Sequence, residues 1–435
     1  MQSKRIDSSD ILFLPNDYLF KIFSLLPPSS LARCCLVCSS WNQIITNSSL
    51  WKQIYSQSKE HWLQLSSWTA TTKGLNFLND EVQSADWKSL YVKNQHTVLF
   101  VLGSVAIKEW KAHSRRVECC RLGMETLMTG SSDGVVCTWS LKTSKCLATF
   151  IVPNKGRVVD LEFYEDKILA VSGTEIYIWN RKKGSLLRRI QGYNQPLHSM
   201  CYADPEILVG CSDGTIRVFD IYSGRCARIF SRQHSDRVTC IVVDMVACIL
   251  MSGSADGTVK LCDLLTGEKI CCLFTSAPPT EVLCLNHVLQ QNTLIGGTSR
   301  GQVHAWDISK QKILWSVRIG PNSVHSLHSQ FYDTALVVAG TINGVISILD
   351  TQSGVILRTF VIAHGRKQMT MDKKNSGESK GHLVVTGHSA MDIGSSVEDS
   401  TSNVPLPILC LKTGMTKIVT THPDGMVRVS QFKLQ

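Results

Sequence analysis

The stretch SGSADGTVKLCD, at residues 252–263, decides the fold of this 435-residue chain. An Asp-Gly pair between two strand-like segments supplies the positive backbone dihedrals of a tight hairpin, and Val259 and Leu261 then share one face of the second strand. Three other segments repeat the pattern closely: TGSSDGVVCTWS at 129–140, VGCSDGTIRVFD at 209–220 and GGTSRGQVHAWD at 296–307. The chain therefore contains an internal repeat of β-hairpins.

Weaker copies of this hairpin lie at residues 171–180, 340–350 and 421–431. The slot that holds Trp139 in the first copy recurs every 40 to 44 residues as far as Leu349, and this spacing is typical of a four-stranded propeller blade. The seven copies predict an all-β propeller with seven blades.

The last interval between copies is 81 residues, nearly double the others. The excess falls at residues 366–403, whose Ser-rich, Gly-rich and charged sequence cannot drive burial, so we predict a flexible insertion there. The final unit also lacks an outer strand. Residues 97–110, TVLFVLGSVAIKEW, are predicted to be β-rich, and by pairing with the last blade they would close the ring and remove an open sheet edge.

The repeats resemble the WD-repeat family over residues 97–435. That family joins a His, a Ser or Thr, the turn Asp and a Trp in a hydrogen-bonded chain within each blade. The matching residues are His113, Thr129, Asp133 and Trp139 in the first unit and His234, Ser252 and Asp256 in the fourth. Cys262 replaces the fourth unit's Trp, while Gly173 and Arg300 replace the Asp of the second and fifth units. The resemblance implies that these two blades are less rigid.

The N-terminal residues have a helical pattern. Leu19, Ile22, Phe23 and Leu26 lie at i, i+3, i+4 and i+7, which places them on one helix face. Residues 27–30, PPSS, end that helix and can cap the next, and a third short helix follows. Three short helices bury little apolar surface, so a partner that completes their core is expected.

This N-terminal pattern resembles the F-box family. The resemblance implies that the small all-α module docks on a Skp-type adaptor, which connects to a cullin and a RING subunit. One departure is residues 16–18, NDY, where the family more often has an acidic residue and leucines. The alternative is an ordinary helical core, and any single leucine could serve the core alone. The predicted adaptor-binding residues are Leu14, Pro15, Leu19, Ile22, Phe23, Leu26, Leu31, Val37, Trp41, Leu50 and Trp51.

The sequence thus predicts a multidomain chain. It comprises a flexible N-terminus at 1–9, an F-box at 10–56, a helical linker at 57–96 and the propeller at 97–435. No apolar stretch has the length of a membrane helix or the form of a secretory signal. We expect an intracellular protein, with cytoplasm and nucleus both open. The 17 cysteines are then expected to be free thiols.

Composition and motifs argue against several other functions. The net charge of +10 is spread without a basic block, which argues against nucleic-acid binding. Cys35 and Cys38 have half the spacing of a zinc site but no second pair, and they fall on an apolar helix face. His325 and His328 would point to opposite faces of a strand. No hydrolase, nucleotide or zinc-protease motif is present, and no metal, cofactor or catalytic residue is predicted.

The resulting hypothesis is a non-catalytic substrate receptor of an SCF-type ubiquitin ligase, whose propeller binds an unknown protein. The alternative is a scaffold without a role in ubiquitin transfer. Candidate substrate-binding residues are Arg116, Arg157, Arg237 and Arg300. The first three begin their units and could form a cationic rim for acidic or phosphorylated segments, or could be solvated surface arginines. Ser132 and Ala255, just before the turn Asp, argue against a deep phosphate pocket.

Overall fold

The computed structural model describes residues 14–47, 49–67, 86–191, 194–231, 233–275, 278–329, 335–362 and 405–434. The chain divides into two compact units, Met1–Val98 and Leu99–Gln435. The predicted flexible N-terminus at 1–9 and the predicted insertion at 366–403 lie outside the described residues. The fold class is confirmed, because a small all-α unit precedes a seven-bladed β-propeller.

Short amphipathic helices form the first unit. Pro28 is the first residue of the second helix. Its lack of a backbone N–H costs nothing there, because the first N–H groups of a helix have no partner within the helix. The helices are α1 (Asn16–Ser24), α2 (Pro28–Cys34), α3 (Ser39–Asn47), α4 (Leu50–Ser67) and α5 (Trp87–Leu102), of which α5 continues into the second unit. A buried core forms around Leu19, Phe23, Leu31, Ile45, Leu50 and Trp51.

Aromatic contacts hold the start of α5 against α4. The rings of Trp51 and Tyr91 lie 5.8 Å apart, and those of Tyr55 and Trp87 lie 5.7 Å apart. The Asn94 amide donates a hydrogen bond of 3.0 Å to the Tyr55 hydroxyl. These contacts join the start of α5 to α4 through aromatic rings and one buried hydrogen bond.

The prediction of strand from residue 97 is wrong for residues 97–102, which continue α5. A short apolar run does not distinguish helix from buried strand by periodicity alone, and tertiary packing decides here. Phe100 packs on Phe432 with ring centroids 4.6 Å apart. The Arg358 guanidinium donates to the carbonyls of Phe100 and Gly103, at 3.0 and 2.8 Å, and so satisfies the carbonyls at the helix end.

Seven four-stranded antiparallel sheets form the propeller, each running from an inner to an outer strand. The first three blades contain β2 (Val117–Leu122), β3 (Thr126–Ser131), β4 (Val135–Ser140) and β5 (Cys146–Ile151); β6 (Val158–Tyr164), β7 (Lys167–Ser172), β8 (Glu175–Asn180) and β9 (Leu186–Gln191); β10 (Leu197–Ala203), β11 (Glu206–Cys211), β12 (Ile216–Asp220) and β13 (Cys226–Phe230).

The next three blades repeat this order, and a short 3-10 helix, Leu289–Gln291, follows the inner strand of the fifth. Their strands are β14 (Val238–Asp244), β15 (Ile249–Ser254), β16 (Thr258–Asp263) and β17 (Lys269–Phe274); β18 (Val282–Val288), β19 (Thr293–Thr298), β20 (Gln302–Asp307) and β21 (Lys312–Arg318); β22 (Val324–Ser329), β23 (Leu336–Thr341), β24 (Val345–Asp350) and β25 (Ile356–Val361).

The seventh blade joins the two ends of the propeller sequence. Three of its strands come from the C-terminal end: β26 (Cys410–Gly414), β27 (Lys417–Thr421) and β28 (Met426–Lys433). The outer strand is β1 (Ser104–Lys111), which pairs antiparallel with β28 from Ser104 opposite Lys433 to Lys111 opposite Met426. The predicted closure of the ring by a segment ahead of the first repeat is confirmed.

Hairpin turns and apolar faces explain why the repeat forms blades. Gly214, in the Asp-Gly turn of the third blade, has φ +77°, and a Cβ there would lie 2.2 Å from the carbonyl oxygen of His234. Adjacent blades bury their facing side chains together, as Phe150 of the first blade does with Trp179 of the second. The stability of each blade therefore depends on its neighbours.

Candidate interaction surfaces

The structure divides the predicted adaptor-binding residues by exposure. Five of them form the core of the helical unit: Leu19, Phe23, Leu31, Leu50 and Trp51. Leu14, Leu26 and Trp41 are partly buried against that core, while Pro15, Ile22 and Val37 are exposed. A partner can therefore contact this last group directly, and the buried residues support the surface from beneath.

Three further apolar residues of the helical unit are exposed and were not among the predicted contacts. Leu25 is 85% exposed, Leu36 is 86% exposed and Tyr18 is 60% exposed. Tyr18 and Ile22 lie at i and i+4 on α1, and Leu25 follows at i+7 as the residue that caps the helix, so the three lie along one side. The sequence signal for them was available, because Leu25 is a leucine outside the periodic core positions of its helix.

Cys35 and Cys38 are engaged locally. The Cys35 thiol donates to the carbonyl of Leu31, and the Cys38 sulfur accepts from the amide of Trp41, both at 3.5 Å. Within the described part of the chain, no group of three or more His, Cys, Asp or Glu residues could hold a metal ion. Among the same residues, no helix is long and apolar enough to cross a membrane.

A buried polar chain crosses the first blade. The Nε2 atom of His113 lies 2.7 Å from Oγ1 of Thr129, which also accepts a hydrogen bond of 2.9 Å from the Trp139 indole. Asp133 accepts from the Ser114 hydroxyl at 2.8 Å. Burial lowers the pKa of His113, so the imidazole is neutral at pH 7. Thr129 thus joins His113 and Trp139 inside the blade, whereas the predicted fourth member, Asp133, bonds to Ser114.

The fourth blade contains an Asp-His-Ser arrangement that has the connectivity of a hydrolase triad. His234 Nδ1 lies 3.3 Å from Asp256 Oδ2, and its Nε2 lies 2.8 Å from Ser252 Oγ. Ser252 is only 1% exposed, so its hydroxyl is closed to a substrate. Where the first blade has Trp139, the Cys262 thiol donates to Gln233 at 3.0 Å. These side chains support the fourth blade in the same way as those of the first.

The second and fifth blades have different interiors. In the second, Glu175 accepts hydrogen bonds from the Tyr177 hydroxyl and, at 2.9 Å, from Arg189 Nε. In the fifth, the Trp306 indole N–H and both ring nitrogens of His304 have no hydrogen-bond partner among the described residues. The lower rigidity expected of these blades stays a prediction.

The rim arginines are held by acidic residues that sequence reasoning missed. Arg116 Nε and Arg157 Nη2 lie 3.4 and 3.1 Å from the two carboxylate oxygens of Glu118, while Arg237 pairs with Glu281. Their side chains remain 54%, 60% and 46% exposed respectively, and Arg300 is also exposed. The Arg157–Glu118 and Arg237–Glu281 pairs join neighbouring blades, which sequence spacing within one repeat does not reveal.

A histidine lies among these rim charges. Burial lowers the pKa of His198, and the positive charges of Arg237 and Arg157 lower it further. The structure therefore brings the arginines of the second and fourth blades near one imidazole of the third. At pH 7 His198 is therefore neutral, and the positive charges of Arg157 and Arg237 beside it are partly balanced by Glu118 and Glu281.

The chain thus combines a helical unit that exposes apolar residues with a propeller that exposes rim arginines. Residues 11–57 match the F-box-like family, and residues 184–220 and 224–263 match the WD domain, G-beta repeat. An F-box/WD-40 repeat-containing protein of Arabidopsis thaliana is 31% identical over 447 aligned residues, which cover 97% of this chain and 94% of the relative. The chain belongs to the family of F-box/WD-40 repeat-containing proteins.

Other similarities are more limited. A second F-box/WD-40 repeat-containing protein of Arabidopsis thaliana is 24% identical and covers 53% of this chain and 44% of its own length. The DENN domain and WD repeat-containing protein SCD1 of the same plant is 26% identical over 41% of this chain and 15% of its own. The crystal structure of the computationally designed Ika8 protein matches 74% of this chain and 98% of its own, with a TM-score of 0.53 and 19% identity. This last similarity shows the fold alone.

Proposed function

We propose that this chain is the substrate-recognition subunit of an SCF-type E3 ubiquitin ligase. In this proposal the helical unit binds a Skp-type adaptor, and through it a cullin and a RING subunit, while the propeller binds the protein to be modified. The observation that carries the proposal is the exposed apolar surface of a unit that belongs to the F-box-like family. The chain itself then contributes binding and no catalysis.

The exposed leucines give this surface its binding energy. Burying a leucine side chain contributes about 1.5–3 kcal/mol relative to leaving it in water. Leu25 and Leu36 are almost fully exposed, so a partner that covers both gains most of that amount twice. Large apolar residues exposed together are characteristic of interaction surfaces, and this supports the adaptor-binding role.

The propeller rim is the proposed site for the protein substrate. Arg116, Arg157 and Arg237 carry exposed guanidinium groups that can pair with acidic segments. Glu118 and Glu281 already accept from these groups, so an acidic ligand must compete with them. This competition favours a ligand with several negative charges over one with a single carboxylate. Arg300 is proposed to extend the same surface. The protein is proposed to act in the cytoplasm or the nucleus.

Adaptor binding is tested by substitution on the exposed face of α1. Ile22→Ala and Leu25→Ala in the full chain are expected to lower affinity for a purified Skp-type adaptor by at least tenfold each, since truncating a central interface residue can cost ~2 kcal/mol. Leu147→Ala, at a leucine of β5 that is 58% exposed, is the matched control and should bind normally. Equal affinity of all four proteins would contradict the adaptor-binding role.

A second experiment separates a ligase subunit from a scaffold. Partners are captured with the intact chain and with a chain lacking residues 10–56, and those retained by both are propeller ligands. Each such ligand is then tested in a reconstituted reaction with adaptor, cullin, RING subunit and ubiquitin. Ubiquitin transfer that depends on Leu25 supports the receptor role, whereas binding without transfer to any ligand supports the scaffold.

A further inference from the structure

Two cysteines meet where the ring of blades closes. The Cys120 thiol, on the inner strand β2 of the first blade, donates to the Cys410 sulfur on the inner strand β26 of the seventh, with 3.5 Å between the sulfur atoms. The two residues are 290 positions apart in the sequence. We call the boundary between β2 and β26 the closure seam. The strands β2 and β26 belong to different sheets and are not paired with each other. Contacts across the closure seam are therefore made by side chains.

Both strands are held in place independently of the thiol pair. On its other side, β26 contacts the sixth blade, where the Ser326 hydroxyl donates to the Leu411 carbonyl at 3.2 Å and accepts from the Leu411 amide at 3.0 Å. His328 lies 2.7 Å from the Thr413 hydroxyl. On β2, Arg121 pairs with Asp160 and Glu162 of the second blade, at 3.0 and 2.9 Å. Contacts with the sixth and second blades therefore hold β26 and β2 in the positions that bring the two sulfur atoms together.

The electrostatics of the seam favour a thiolate at one cysteine. The hydrogen bond from Cys120, with the positive charges of Lys412 and Arg121, lowers the pKa of Cys410 to about 6 in spite of burial. Lys412 makes no ion pair with a carboxylate of the described residues, whereas the charge of Arg121 is shared with its two carboxylates. The hydrogen bond and burial raise the pKa of Cys120 well above its usual range.

This asymmetry matches the two partners of a thiol oxidation. A thiolate is the nucleophile that attacks a peroxide, and a neighbouring thiol then resolves the product. Cys410 is partly exposed as a residue while Cys120 is fully buried, so Cys410 is the more accessible of the two. We propose that Cys120 and Cys410 form a reversible disulfide, driven by a hydroperoxide, that joins the first and seventh blades covalently.

The reaction balances in two steps. The Cys410 thiolate attacks one oxygen of hydrogen peroxide and breaks the O–O bond, which gives a sulfenic acid and, after protonation of the leaving hydroxide, one water. The Cys120 sulfur then attacks the sulfenic sulfur, its proton leaves with the hydroxyl group as a second water, and the S–S bond forms. Two electrons pass from the two sulfurs to the peroxide, and an added dithiol returns them.

Other cysteines provide internal comparisons. Cys137 and Cys146 both lie near the Thr149 hydroxyl, at 3.8 and 3.5 Å, and burial raises the pKa of Cys137 to about 12. Cys146 is exposed. Within this pair only Cys146 is accessible, because Cys137 is buried. Cys119 is buried beside the seam, and burial raises the pKa of its thiol well above the usual range.

The test is a cross-link map of the full chain. The reduced protein is treated with one equivalent of hydrogen peroxide at pH 7, remaining thiols are blocked with N-ethylmaleimide, and unreduced peptides are analysed by mass spectrometry. The expected result is a peptide joining Cys120 and Cys410 as the most abundant disulfide, lost after dithiothreitol. Full alkylation of Cys410, or a dominant disulfide between Cys137 and Cys146, would overturn the proposal.

Variants then identify the role of each residue. Cys120→Ser should leave Cys410 as a sulfenic acid that dimedone traps, and Cys410→Ser should leave Cys120 reduced. Lys412→Met should slow alkylation of Cys410 at pH 7 about tenfold, because the thiolate fraction falls, whereas Lys145→Met, at an exposed lysine, should not. Thermal unfolding of each reduced variant checks its fold. Oxidation of Cys120 in Cys410→Ser, or equal alkylation rates in both lysine variants, would contradict the assignment.

Discussion

The first and fifth blades contain the same type of twelve-residue hairpin, at residues 129–140 and 296–307, yet their interiors are stabilised differently. In the first, Thr129 joins His113 and Trp139 by hydrogen bonds. In the fifth, Gly296 takes the place of that threonine, and its Cα approaches the ring of Trp306 so closely that a Cβ would lie 2.9 Å from it. The tryptophan of the motif is a hydrogen-bond donor in one blade and a space-filling ring in the other.

This contrast shows that one sequence motif can support a blade in two physical ways. A polar chain ties two strands to the loop before the inner strand, but each member needs its partners because a buried unpaired polar group costs free energy. A packed ring is stabilised through its apolar contacts and does not need the histidine and aspartate of the motif, although its indole N–H is then left unpaired among the described residues. Support by a polar chain and support by a packed ring respond differently to acid and to substitution.

The largest expected effect is loss of stability in acid. Burial lowers the pKa of His234 in the fourth blade from 6.5 to about 4, so below pH 6.5 the unfolded chain binds a proton that the folded blade does not. This histidine alone is expected to lower the free energy of unfolding by about 3 kcal/mol between pH 7 and pH 4. Thermal unfolding measured across this range checks it. His234→Gln should flatten the curve, and an identical curve for the variant would contradict the prediction.

The next effect is expected from removing one hydroxyl of the first blade. Thr129→Val deprives both His113 and Trp139 of their partner and is expected to cost about 2 kcal/mol, measured as a lower denaturant midpoint. Thr138→Val is the matched control in the same blade, because Thr138 is buried and its hydroxyl has no hydrogen-bond partner among the described residues. That variant should be neutral or slightly more stable. Equal losses would show that the polar chain contributes nothing specific.

The smallest effect compares the two tryptophans directly. Trp139→Phe removes an indole hydrogen bond as well as ring volume, whereas Trp306→Phe removes volume alone. We expect the first to cost about 1 kcal/mol more than the second, the net contribution of a typical hydrogen bond. Chemical unfolding of both variants gives the difference. A larger loss for Trp306→Phe would indicate that the fifth blade depends on its indole N–H after all.

The seven-bladed architecture could be predicted from the sequence, because the spacing of the repeats can be measured along the chain without knowledge of the fold. The Asp-Gly turns and the spacing of Trp139, Trp179 and later copies predicted seven blades, and the helical periodicity around Leu19 predicted the first unit. Residues 97–102 were assigned wrongly, since their helix depends on packing against Phe432 and on bonds from Arg358, far along the chain.

Much of the candidate site depends on contacts between repeats. Glu118 pairs with Arg157 of the next blade, and Cys120 meets Cys410 only because the ring closes. No spacing within a single repeat contains that information. In the helical unit the periodicity did not separate Leu19, which is buried, from Ile22, which is exposed, because both lie on the same broad face of α1. It also did not select Leu25 and Leu36, which are exposed.

The pairing of β1 with β28 imposes an order on biosynthesis. Ser104 and Lys433, which pair at one end of this ladder, are 329 residues apart, so β1 leaves the ribosome long before its partner exists. At ordinary translation rates of about 5–20 residues per second, the nascent chain carries this unpaired strand for roughly 15–65 s. During that interval the backbone groups of β1 have no partner strand. Residues 104–111 are therefore expected to be a binding site for chaperones that recognise exposed β-strands.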